Sequence, residues 1–115
     1  EIEYERGYPV VINSDAETDF ARQVAEDLVG PEQVVFPFGP VTGSEDFALY
    51  SLPGQQIPTV LFNVGVIPAE LLAQAKAGKA HVAGTHTSRF APEAKPAIQA
   101  GVQAMTAAAI DLLQK

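Results

Sequence analysis

The chain has 115 residues, enough for one compact domain and too few for two large ones. Fourteen acidic residues against seven basic ones give a net charge of −7, which argues against nucleic acid and anionic membranes, both of which need a basic footprint. The absence of cysteine excludes a disulfide framework and cysteine-ligated zinc, and no apolar run approaches the ~20 residues that span a bilayer.

The chain starts inside a patterned segment, at Glu1 and without a methionine, and reads as an excised piece of a longer protein; a mature domain after processing is the alternative. Ile2 and Tyr4 alternate with Glu1, Glu3 and Glu5, the period-two signature of a half-solvated strand. Gly7 interrupts it. Tyr8 to Asn13 is a second extended stretch, in which Pro9 argues against a central strand. Ser14, followed by Glu17, predicts a capped helix start, and Phe20, Val24 and Leu28 lie on one helical stripe. Gly30-Pro31 predicts its end.

Gln33 to Phe36 reads as a short strand, followed by a loop that Pro37, Gly39 and Pro40 keep irregular. Ser44 is placed to cap a short helix over 45–50, ended by Pro53-Gly54. Pro58 to Gly65 is apolar without alternation, which predicts a strand buried on both faces of a helix-covered sheet. Residues 69–77 predict a helical excursion closed by Gly78. From Pro92 almost to Lys115 a long helix is expected, with Ile98, Val102, Met105, Ala109 and Leu112 on one stripe. Gly101 in that helix would permit close packing on the sheet. The composition shift at Asn13-Ser14 places a domain boundary there, between residues 1–13 and 14–115.

Few residues can carry chemistry. There are two histidines. His81 reads as a surface residue. His86, in Gly84-Thr85-His86-Thr87-Ser88-Arg89-Phe90, sits in a loop before the last helix, where an imidazole can be aimed at a metal. A lone histidine is more often structural, because a mononuclear zinc site needs three or four ligands. Gly43-Ser44-Glu45-Asp46 places adjacent carboxylates at a helix N-terminus, about 100° apart around an α-helix, so both cannot face one pocket equally. Acids there stabilise the helix without any chemistry. No Gly-x-Ser-x-Gly elbow is present, so a serine triad has no foundation.

Taken in order, Tyr8-Pro9 with Asn13, Gly43-Ser44-Glu45-Asp46-Phe47-Ala48 with Tyr50, Pro53-Gly54, Asn63-Val64-Gly65 and His86-Thr87-Ser88-Arg89-Phe90 before an alanine-rich helix resemble one particular arrangement. It is that of the C-terminal portion of the metal-dependent aminoacylase, hippurate hydrolase and carboxypeptidase-G-type peptidase family. The resemblance implies an α/β fold: the closing part of a three-layer sheet-and-helix catalytic domain over 14–115, preceded over 1–13 by the last strand of an inserted lid and dimerisation domain. It implies that His86 is the last ligand of a two-metal centre, with zinc foremost and manganese, cobalt or nickel as alternatives. Gly43, Ser44, Glu45, Asp46, Thr85 and Thr87 would line the pocket or support the ligand.

The resemblance further implies hydrolysis of the amide bond of N-acyl amino acids or small peptides by a metal-activated water. The general base and remaining ligands would lie upstream, in a missing N-terminal part, and a homodimer would form through the inserted domain. This chain alone is then expected to be inactive. Two other readings compete: a non-catalytic α/β binding or regulatory module, and one structural half of a two-chain assembly.

Overall fold

Residues 2–5, 7–43, 45–52, 54 and 57–114 are described in the structure, a computed structural model. They divide into two units, Glu1–Phe62 and Asn63–Lys115.

In the first unit, helix α1 spans Asp15–Val29. Ser14 occupies the cap position with extended backbone, yet its hydroxyl does not close the first turn. Instead Ser14 Oγ accepts the Thr59 N–H at 3.1 Å, and the Ser14 N–H donates to the Thr59 carbonyl at 2.8 Å. The Ser14 carbonyl takes both the N–H and the hydroxyl of Thr18, at 2.9 and 2.8 Å. Asn13 completes the join. Its Nδ2 donates to the Leu61 carbonyl and its Oδ1 accepts the Leu61 N–H, both at 2.9 Å. A side-chain amide thus stands where a neighbouring strand would present its peptide.

At its other end α1 stops at Gly30, whose φ of +85° is strained for any residue with a Cβ. The Gly30 N–H still reaches Glu26 O at 2.9 Å. Pro31 then opens a 3-10 turn, Pro31–Gln33, which packs against α1. On the flank of α1, Arg22 lies between Asp19 (3.2 Å) and Glu26 (3.8 Å) and places its guanidinium 5.0 Å from the centroid of the Phe36 ring. The exposed ion pairs add little; the cation–π contact ties the loop after the 3-10 turn back to the helix. The Phe36–Pro37 peptide is cis.

The expected short helix forms as a 3-10 segment, Asp46–Ser51, with Phe47 and Tyr50 rings 5.7 Å apart. Ser44, expected to cap it, lies outside the described residues. In the second unit, α2 spans Ala69–Lys76 and is closed at Gly78 (φ +71°), where Lys79 N–H bonds Gln74 O at 2.9 Å. Helix α3 spans Ala94–Leu113. Pro96 falls in its first turn, where the missing N–H has no helical partner to lose.

The expected three-layer α/β sheet does not form. The described residues are 48% helix, and none of them is in a strand. Residues 2–5, 8–13 and 58–65 form no ladder, and of the strand expected at 33–36, Gln33 closes the 3-10 turn while 34–36 are likewise unpaired. The physical reason lies in pairing: a strand exists only through a neighbour's peptide groups, and the donors at Thr59 and Leu61 are met by Ser14 and Asn13 instead. Residues 58–65 are likewise not buried on two faces, since Leu61 and Phe62 are exposed.

The core is correspondingly small. Among the described residues, Val24, Ala48 and Thr59 are buried. The α3 stripe of Ile98, Val102, Met105, Ala109 and Leu112 is exposed throughout. A Cβ at Gly101 would meet nothing within 4 Å, so the expected close packing there is absent. Among the described residues no helix is long and apolar enough to cross a membrane.

Two substitutions test the join between residues 13–14 and 59–61. Asn13→Ala removes both bonds to Leu61 and is expected to destabilise the first unit by about 1–2 kcal/mol, read as a lower denaturant midpoint and faster exchange of the Leu61 amide. Thr59 Oγ1 is buried without a hydrogen-bond partner among the described residues. Thr59→Val is therefore expected to hold or raise the midpoint, whereas Thr59→Ala, which also loses a packed methyl, lowers it.

Candidate functional site

His86 stands on an exposed double turn in the second unit. The Thr87 hydroxyl donates to the Gly84 carbonyl at 3.0 Å, and the Phe90 N–H donates to the Thr87 carbonyl at 3.1 Å. These two bonds fold residues 84–90 so that Thr85, His86 and Thr87 sit at the bend. The segment is fixed at both ends. Val82 and Ala83 before it are half-buried, and after it the Glu93 N–H donates to the Val66 carbonyl at 2.8 Å. Helix α3 begins at the next residue. The loop is thus followed directly by a backbone anchor and a helix, and its residues 84–89, His86 among them, are exposed. His81, read as a surface histidine, is exposed.

Glu45 and Asp46 belong to the first unit. Glu45 takes the cap position of the 3-10 segment, its Oε1 accepting the Phe47 N–H at 3.4 Å. This is the stabilising, non-chemical role that acids at a helix start can fill. Asp46 is exposed in the first turn. Glu45, with extended backbone (φ −144°, ψ 125°), lies just outside the 3-10 helix that Asp46 begins, so helical rotation does not relate the two carboxylates. Gly43 is exposed, and a Cβ there would meet nothing within 4 Å. Ser44 lies outside the described residues.

No three His, Cys, Asp or Glu side chains converge to hold a metal ion among the described residues. One solvent-exposed imidazole is one donor of the three or four that a zinc ion takes from protein. The described residues do not by themselves fit a metal, and His86 would need donors from elsewhere.

Two residues matter more to this architecture than their sequence context suggested. Asn13 was visible only as the end of an extended motif, and its pairing with Leu61 depends on contact across 48 positions. Arg22 reads as a surface helix charge; its ring contact has no signature in local sequence.

The model of the peptidase family M20/M25/M40 matches residues 1–111. Among curated proteins, the Bacillus subtilis (strain 168) protein designated "Putative amidohydrolase YhaA" is 37% identical over 70 residues. That stretch is 61% of this chain and 17% of the relative, so the chain spans a small part of that protein's length. No solved structure matches.

The turn around His86 is testable directly. Thr87→Val removes the donor to Gly84 at nearly constant volume. It is expected to loosen the loop, seen as faster amide exchange at residues 87–90 and a shifted His86 ring signal in NMR, while Thr87→Ser preserves both. Equal spectra for the valine and serine variants would remove the hydroxyl from the account.

The family match covers all but the last four of the 115 residues, and with it the His86 loop and both carboxylates: the chain belongs to the peptidase family M20/M25/M40.

Proposed function

We propose that this chain is the closing part of a metal-dependent amidohydrolase that cleaves N-acyl amino acids or small peptides. The observation that carries the reading is His86, set on a hydrogen-bonded double turn directly ahead of α3 in a chain matched by a peptidase family over residues 1–111. The amidohydrolase designation of the Bacillus subtilis relative supports hydrolysis of an amide rather than another bond.

In this proposal His86 is a metal ligand, and its further ligands and the general base come from polypeptide outside these residues. A hydrogen-bonded turn suits the role, since a ligand must be held close to its productive geometry. Thr87 holds the bend through its hydroxyl bond to Gly84, and Thr85 would line the pocket. Asp46, exposed and less committed to capping than Glu45, is the better candidate to face substrate. Residues 1–13 would be the end of an inserted lid domain, and that domain would carry a homodimer contact. Zinc is the first choice of metal by ligand chemistry, since imidazole suits it. Manganese, cobalt and nickel are alternatives. The 115-residue chain alone is expected to have no amidase activity, because a single imidazole gives little metal affinity.

The decisive experiment is His86→Ala in the complete native gene product. Metal content per chain, measured by elemental analysis, is expected to fall. Turnover of hippurate or an N-acetyl amino acid is expected to drop by about 100-fold or more, the scale on which disturbing a metal site costs activity. Unchanged metal content would remove His86 from the ligand set. A native gene product with no amidase activity under any of these metals would favour a non-catalytic module.

A further inference from the structure

In the first unit, the loop between the 3-10 turn Pro31–Gln33 and the segment opening at Asp46 has a chemistry of its own. From Gln33 to Ser44 no residue is charged, in a chain with 14 acids and 7 bases. Phe38 and Val41 are 65 and 75% exposed. A charged group therefore finds no partner on this loop, whereas an apolar group finds side chains that it can cover. The loop is anchored from one side. Among the described residues, the Arg22 guanidinium, 5.0 Å from the centroid of the Phe36 ring, is the one group that holds residues 35–43 to the rest of the unit. Asp19 and Glu26 keep that guanidinium on α1, at 3.2 and 3.8 Å. Phe36 is thus fixed, and Phe38 follows two residues later.

Three observations indicate what covers the loop. A strand of another polypeptide draws its affinity from main-chain bonds, and Pro37 and Pro40 have no N–H to give. A small ligand needs no such ladder, because ligand sites combine an apolar wall with a few polar groups. The loop also runs on within five residues of Val41 to Asp46, the residue proposed to face substrate. Of the two halves of an N-acyl amino acid, the amino-acid half carries a carboxylate, which a loop without a cation and ending in two acids repels. The acyl half is neutral.

We propose that Phe38 and Val41 form the subsite for the acyl group and select a bulky apolar acyl group over a small one, with Arg22 as a positioning residue acting through Phe36. This rests on the assignment of the chain to an amidohydrolase, and the test separates the two.

The complete native gene product is assayed with N-benzoylglycine and N-acetylglycine. It is also titrated calorimetrically with benzoate and acetate, the acids that hydrolysis would release. The benzoyl substrate is expected to be preferred by about tenfold or more in kcat/KM, the scale on which an apolar subsite discriminates, and benzoate to bind more tightly than acetate by a similar factor. Phe38→Ser should remove most of both preferences, chiefly through the KM of the benzoyl substrate. Arg22→Met should reduce them about threefold, and Arg22→Lys, which can still rest a cation on the ring, should restore them. An acetyl preference would overturn the inference. So would preferences that Phe38→Ser and Val41→Ser leave unchanged, with amide hydrolysis left standing. Arg22→Met without effect would remove Arg22 from it. Benzoate selectivity that depends on Phe38 in a product without amidase activity would support the subsite and overturn the hydrolytic function. Val41→Ser reads the same subsite if Phe38→Ser does not fold.

Discussion

Four hydrogen bonds between residues 13–14 and 59–61 organise the first unit. They bring together segments 45 or more positions apart, and they do so where few apolar contacts are available. Loop closure over that distance is entropically costly, and the three residues buried among those described repay little of it. Directional bonds therefore carry an unusual share of the organisation. The join also sets where α1 begins, because the Ser14 hydroxyl that would close the first helical turn is used on Thr59. The Thr18 side chain compensates by bonding the Ser14 carbonyl.

The helices were legible because their signals are local. Gly30-Pro31, Gly78 and the apolar spacing of 98–112 act within one or two turns, and the observed bounds fall within two residues of those expected. The short segment after Glu45 was legible as helical but not as 3-10, since the two forms share the same start signals. The strands were not legible in the same sense. An apolar run such as 58–65 records that a segment is destined for burial, and carries no information about whose peptide groups will meet it. Its donors went to an asparagine expected at the end of an extended stretch and a serine expected as a cap.

The candidate site divides along the same line. The His86 loop was identified from the order of motifs, and the structure adds the local bonds that hold its bend. Glu45 and Asp46 looked equivalent as neighbours; geometry separates them, with Glu45 engaged as a cap and Asp46 exposed. Whether a histidine is a ligand depends on donors that converge from distant positions. That convergence is not a property of any short segment, so neither spacing nor local folding could supply it.

Met105 is the only methionine in the chain, and it lies on the exposed apolar stripe of α3. A thioether open to water is readily oxidised to the sulfoxide, which is polar. Oxidation there would set a polar group in the middle of that stripe, between Val102 and Ala109.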